Sequence, residues 1–291
     1  MILPLTRRHS PPSLSGELCP PFRELAASVH SALGQGRAVG LMPWETSLTD
    51  WILLALASTF PAQLKVVRFA ADREAQNGAD WEWWFRSGSD YAGMRVQAKR
   101  RDANGSWGLK AKAPGKPAEK QVDRLVRNAS ASGLPAFYCL YSDRPPRTPT
   151  HDQTGPCPHG PLDPNQHGIS LLLARTAQRH ASQPKLSNDA VASEANPWYG
   201  LVCIREPRRS LVETVRAFLM TQLGREYARQ VPLDLGEARW VVEDPVGANP
   251  PDDIRQAFDD QPARDRLARE GLAGIVLFSD DQAGGRWPSA A

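Results

Sequence analysis

Two short stretches, Gly78-Ala79-Asp80-Trp81-Glu82-Trp83-Trp84-Phe85 and Met94-Arg95-Val96-Gln97-Ala98-Lys99-Arg100, constrain the fold of this chain more than any other feature. Side chains of an extended strand alternate between two faces. The first stretch therefore sets Asp80, Glu82 and Trp84 on one face and Trp81, Trp83 and Phe85 on the other. The second sets Arg95, Gln97 and Lys99 against Met94, Val96 and Ala98. With the turn signal QNGA before them and RSGSDYAG between them, they predict a β-hairpin. When the two apolar faces pack into one core, the polar faces coincide as well. Directly opposed Cβ atoms lie about 4.5–5.5 Å apart, so carboxylates, an amide and an ammonium converge on one small area.

Such a cluster suits a hard divalent cation, which takes oxygen ligands: a carboxylate or two, water and substrate phosphate. Asp80 supplies a carboxylate, Gln97 an amide oxygen, and Glu45 a second carboxylate from the first turn of the helix predicted for ETSLTDWILLALASTF. Glu82 is either a further metal ligand or a partner for Lys99. A charged Lys99 binds no metal but can hold a phosphate and orient an attacking water. Phosphodiester hydrolysis needs these parts.

The remaining pattern is mixed α/β. A loose arm over residues 1–20 leads into a helix over 22–34 that Gly34 and Gly36 end, followed by a short strand, AVGLM. The next helix carries Trp44, Leu48, Trp51, Ile52 and Ala55 on one side and stops at Pro61, and KVVRFA is a strand. After the hairpin, DANGSWGLKAKAPGK reads as a mobile linker, Pro117–Ala131 as a helix and AFYCLY as a strand. Residues 143–167 form a Pro-, Gly- and His-rich loop. Beyond it ISLLLARTAQRHA reads as a helix, WYGLVCI as a strand, RRSLVETVRAFLMTQLGREYARQ as a long helix, ARWVVE as undecided and AGIVLFSD as a strand. The expected division is thus an N-terminal arm to residue 20, a core over 21–142, the loop over 143–167, and an extension over 168–291 that partly completes the same domain.

An acid, a hairpin turn and a (D/E/Q)-x-K tripeptide, in the order helix, strand, strand, strand, helix, strand, resemble the PD-(D/E)XK or restriction-endonuclease-like superfamily. Here they are Glu45, Asp80 and Gln97-Ala98-Lys99, with Gln in the acidic position as in the Mrr-like branch. ETSLTDW, GADWEWWF, RVQAKR and QVDRL are similar to an uncharacterised bacterial family of that superfamily, over about residues 40–142. The resemblance implies a central mixed sheet flanked by helices and a Mg²⁺- or Mn²⁺-dependent nuclease acting on nucleic acid, DNA first, with a role in defence or repair. It implies Glu45, Asp80, Gln97 and Lys99 as catalytic residues, the first three as metal ligands, and Gln121 facing the site. It leaves a homodimer open. No Pro precedes Asp80, and Gln97 is neutral where most members carry an acid.

Charge points the same way. Residues 95–127 hold ten basic side chains against three acids, a surplus of +7 in a chain of net charge +3. Arg100, Arg101, Lys110, Lys112, Lys116, Lys120 and Arg124 are the expected phosphate contacts. Nothing suggests a membrane segment or secretory signal, and the chain reads as cytoplasmic. Cys19, Cys139, Cys157 and Cys203 are far apart without a CxxC pair and read as reduced thiols. Cys157-Pro158-His159 with His151, His167 and Cys203 holds ligand types for zinc, but the spacing matches no standard site and predicts a surface loop. Of the nine Trp, Trp44, Trp81, Trp83 and Trp84 read as mostly core, and Trp84 alone has the parity to stack on a base or sugar. A nuclease-like fold that only holds nucleic acid is the main competing expectation. A glycoside hydrolase, which also uses paired carboxylates, gives no role to Lys99 or the basic zone.

Overall fold

The computed structural model describes residues 14–69, 81–113, 119–147, 157–203, 209–230, 250–269 and 272–280. Helices α1 (Leu14–Val39) and α2 (Glu45–Thr59) come first, then strands β1 (Leu64–Arg68), β2 (Trp81–Ser87) and β3 (Asp90–Arg100). Helix α3 (Gln121–Ala131), strand β4 (Ala136–Tyr141), a 3-10 turn (Pro164–Gly168), β5 (Ile169–Leu173), α4 (Ala174–Ser182) and α5 (Asn188–Glu194) follow. The chain continues through β6 (Asn196–Pro197), a 3-10 turn (Trp198–Leu201), α6 (Leu211–Gln230), α7 (Asp252–Gln256), α8 (Gln261–Arg269) and β7 (Gly274–Ser279).

The fold is α/β, with one seven-stranded mixed sheet in the order β1-β7-β2-β3-β4-β5-β6. β7 lies between β1 and β2, antiparallel to the first and parallel to the second, so a strand from the C-terminal extension is internal to the sheet. One face packs on α1, α2 and α6 through Trp81, Trp83, Phe85, Met94, Val96 and Ala98. The other packs on α3, α4, α5, α7 and α8 through Trp84, Tyr138, Leu140, Ile275 and Leu277. Among the described residues no helix is long and apolar enough to cross a membrane.

The hairpin is tighter than its sequence suggests. Arg86 and Ser87 extend β2, Asp90 to Gly93 extend β3, and Gly88-Ser89 alone make the turn. Gly93 stands opposite Trp84, and a Cβ there would lie 2.6 Å from the indole. Glycine is what lets the Trp84 ring lie flat on β3.

Several expectations are corrected. α1 begins by Leu14, in the stretch expected as a loose arm, and runs through Gly34 and Gly36 to Val39; the chain then folds back, Leu41 N–H bonding Gly36 O at 2.8 Å, so AVGLM makes no strand. α2 buries Leu48, Ile52, Leu53 and Leu56, while Trp44 (75% exposed) and Trp51 (41% exposed) face outward. The linker after β3 is anchored by buried Trp107 and Leu109. ISLLLARTAQRHA divides into β5 and α4, since an apolar run of five residues suits strand and helix alike. WYGLVCI is no strand: Trp198 stacks on Phe22 with centroids 4.0 Å apart and donates its Nε1–H to Phe22 O at 2.7 Å, and these contacts hold a 3-10 turn instead. ARWVVE falls outside the described residues.

A candidate active site at the end of β3

Among the described residues β3 pairs with β2 as far as Trp81↔Val96 and, in parallel, with β4 as far as Arg100↔Tyr141. Arg101 N–H bonds Tyr141 O at 2.9 Å, and backbone amides along a strand alternate sides, so Arg100 N–H faces away from β4. The Glu45 carboxylate occupies that direction, Oε1 accepting from Arg100 N at 2.9 Å. Glu45 is in the first turn of α2, which is tied to β4 through Thr49: the Thr49 hydroxyl donates to Glu45 O at 3.0 Å and lies 2.9 Å from Tyr141 Oη. Glu45 thus comes from the layer that packs on Val96 and Ala98 and reaches the strand edge, rather than facing Gln97 across an open cleft.

Gln97 stands opposite Tyr138 on β4, on the face of the second helix layer. It is 1% exposed, and its Oε1 accepts no hydrogen bond among the described residues. A buried acceptor left without a donor costs about 1–3 kcal/mol. Lys99, two residues on, is half-buried and has no ion-pair partner among the described residues. Arg100 Nη1 is buried without a partner too. An unpaired acceptor and two cations with unused hydrogen-bonding capacity therefore lie within four consecutive residues. Asp80, adjoining Trp81 in the sequence, lies outside the described residues.

The polar face of the hairpin is not open. Glu82 is 3% exposed; its Oε1 accepts from Arg95 Nε at 2.9 Å and its Oε2 from Trp84 Nε1 at 3.1 Å. Both oxygens are engaged within the hairpin, Oε1 by Arg95 and Oε2 by Trp84. Trp84 is 1% exposed and cannot stack on a base.

Most of the basic segment serves the fold. Arg101 is buried over the Trp107 ring, its Nε donating to Gly105 O at 3.0 Å and its Nη2 to Asp189 Oδ1 at 3.2 Å. Lys110 Nζ donates to Gln183 O and Pro184 O, and Lys120 Nζ to Ala181 O. Arg124 Nε pairs with Glu119 at 2.7 Å, and Arg127 pairs with the same carboxylate. The Arg127 and Arg124 guanidiniums hold the Glu119 carboxyl down to about 2. Of the other residues expected to contact phosphate, Lys112 is exposed, Gln121 opens α3 half-buried, and Lys116 is outside the described residues.

Three of the zinc-ligand types noted in the sequence, where a surface loop is expected, do form a cluster, with Cys19 added. Cys157, His159 and Cys203 come together with Cys19 of α1, their ligand atoms all within 4.8 Å of one another. Hydrogen bonding with Cys203, burial, and the nearby Cys203 and Cys157 sulfurs push the Cys19 thiol far above its ordinary value. His167 is elsewhere, buried and held neutral by desolvation, its pKa lowered to about 4. His151 lies outside the described residues. Three separate segments supply the cluster, so no local spacing announces it.

A family profile described as "Family of unknown function (DUF6615)" matches residues 18–284. The chain belongs to this family. No curated protein matches it. Within the family's span, from α1 to the residues beyond β7, lie both the end of β3 and the Cys/His cluster.

Proposed function

We propose that this DUF6615 member is a metal-dependent nuclease of the restriction-endonuclease-like type, hydrolysing phosphodiester bonds of DNA. The observation that carries this reading is Gln97 Oε1, a buried oxygen without a donor among the described residues, two residues before Lys99 and three before the residue that anchors Glu45. Buried acceptors in folded proteins almost always find a partner, and a hard cation, which takes oxygen ligands, is a fitting one for an amide oxygen. Glu45 and Gln97, with Asp80, are the residues to hold Mg²⁺ or Mn²⁺. When bound, the cation neutralises charge on the phosphoryl group and acidifies water.

The chain's own groups do the rest. Lys99 holds the scissile phosphate and orients the attacking water, and its charge opposes that building up on the phosphoryl oxygens. Arg100 contributes a second cation beside it. The Arg100 N–H fixes one Glu45 oxygen and leaves the other available. The Glu82–Arg95 pair keeps the strand beneath Gln97 rigid.

The test is incubation of the purified chain with plasmid, linear and single-stranded DNA and with RNA, in Mg²⁺, Mn²⁺ or EDTA. Cleavage of DNA that needs Mg²⁺ or Mn²⁺ and stops in EDTA is expected. DNA bound but uncut under every divalent metal would instead establish a binding module without turnover, and cleavage confined to RNA would overturn the substrate.

A further inference from the structure

Cys19, Cys157, His159 and Cys203 have the spacing of a tetrahedral ligand set. Cys157 Sγ lies 3.6 Å from Cys19 Sγ, 3.4 Å from Cys203 Sγ and 3.5 Å from His159 Nδ1. With Zn–S about 2.3 Å and Zn–N about 2.0–2.1 Å, a tetrahedral site has edges of about 3.8 Å between sulfurs and about 3.5 Å from sulfur to nitrogen. A disulfide requires sulfurs about 2.05 Å apart. All four cysteines of the chain are free, and Cys139 stands apart in β4.

Two donors converge on the Cys157 sulfur. The Arg23 guanidinium, 7% exposed, donates from Nη1 to Cys157 Sγ at 3.3 Å, and the His159 backbone N–H donates to the same sulfur at 3.4 Å. Arg23 is fixed in turn by Gly160 O, Pro161 O and Gln166 Oε1. Such donors around the ligands are the usual second layer of a metal centre. Charge agrees: a dication with three thiolates and a neutral imidazole carries a net charge of −1, and Arg23 balances it. The turn Cys157-Pro158-His159-Gly160 is shaped for the task. Gly160 at φ 102° lets its N–H close on Cys157 O at 3.1 Å, which turns Cys157 and His159 towards the same point.

We propose that Cys19, Cys157, His159 and Cys203 bind one zinc ion in a closed, four-coordinate structural site. The site staples α1 to the segment before β5 and to the segment after the Trp198–Leu201 turn. All four positions belong to protein ligands, which suits a structural rather than a catalytic ion. On binding, the cysteines release their protons to solvent and the imidazole coordinates as the neutral base; no electrons are transferred. The site uses none of the residues of the proposed nuclease centre and stands or falls independently of it.

The experiment is metal analysis of the full chain, purified without chelator, combined with Co²⁺ substitution and thiol titration. About one zinc per chain is expected, with Cys19, Cys157 and Cys203 slow to react with a thiol reagent until a strong chelator is added. Co²⁺ should give sulfur-to-metal charge-transfer absorption and the intense visible bands of a tetrahedral site. Cys157→Ser and His159→Ala should lower zinc content at least tenfold, and Cys139→Ser should keep it. Should Cys157→Ser not fold, the exposed His159 still gives a readable variant and the wild-type Co²⁺ spectrum decides. Zinc below one tenth per chain after zinc-supplemented expression, absence of thiolate–Co²⁺ absorption, or a Cys157–Cys203 disulfide in the reduced-purified protein would each overturn the site.

Discussion

Glu82 and Arg95 stand directly opposite each other across the β2–β3 hairpin and form a 2.9 Å ion pair whose side chains are 4% and 8% exposed. Removing one partner of a buried pair leaves an uncompensated charge and costs about 3–5 kcal/mol. Glu82→Ala and Arg95→Ala should each lower the unfolding free energy, measured in urea, by that amount. Joint replacement by apolar residues of similar volume should restore much of it. A Glu82→Ala protein as stable as wild type would show that the pair does not hold the hairpin.

Gly93 is the floor under Trp84. A methyl group there meets the indole at 2.6 Å, so Gly93→Ala must push the ring off the strand or shift β3. Overpacking of this kind costs about 1–3 kcal/mol. The Trp84→Phe background, with a smaller ring, should reduce the penalty, and a double-mutant cycle in urea measures the coupling.

For the proposed nuclease, Asp80→Ala and Lys99→Ala should each reduce DNA cleavage by about 10²-fold or more, and Lys99→Ala should leave the melting temperature close to wild type. Gln97→Glu separates a metal ligand from an ordinary buried amide. A carboxylate buried without a partner is costly, so this variant should be destabilised in EDTA. Mg²⁺ should restabilise it more than it does wild type, because an ion that binds only the folded chain shifts the unfolding equilibrium. Equal melting temperatures with and without Mg²⁺ would remove Gln97 from the ligand set.

His167 provides a pH handle. Burial lowers its pKa from an ordinary value near 6.5 to about 4. The unfolded chain therefore binds the proton more readily, and stability is fully present above about pH 6.5, then declines as pH falls towards 4. His167→Gln should flatten the urea midpoint between pH 4 and pH 6.5. Glu119 adds a lower step: its carboxyl is held at about 2, so the stability it contributes is present above its ordinary value of 4.5 and is lost as pH falls towards 2.

The alternation of WEWWF and MRVQAKR was legible because a period of two leaves little freedom. Trp81, Trp83 and Phe85 enter one core with Met94, Val96 and Ala98, while Trp84 enters the other. What alternation does not tell is whether the second face meets water. Four helices from the second half of the chain, with α3, cover that side of the sheet, so Glu82 and Arg95 became a buried pair and Trp84 a packing residue. The contacts within the basic segment were illegible for a related reason: a cation in sequence looks alike whether it meets solvent or a helix-end carbonyl, as Lys120 does at Ala181. Cys19 gave no local signal, being brought to Cys157 only by the docking of α1.

The position of β7 has a consequence for the order of assembly. During synthesis the β2–β3 hairpin and β1 emerge long before residues 274–279, the strand that joins them. Until then the outer edge of β2, with Trp81, Trp83 and Phe85, presents unpaired backbone groups to any extended chain nearby. Ribosome-bound intermediates lacking β7 should accordingly be the species most prone to aggregate, and a peptide spanning residues 272–280 supplied in trans should protect them.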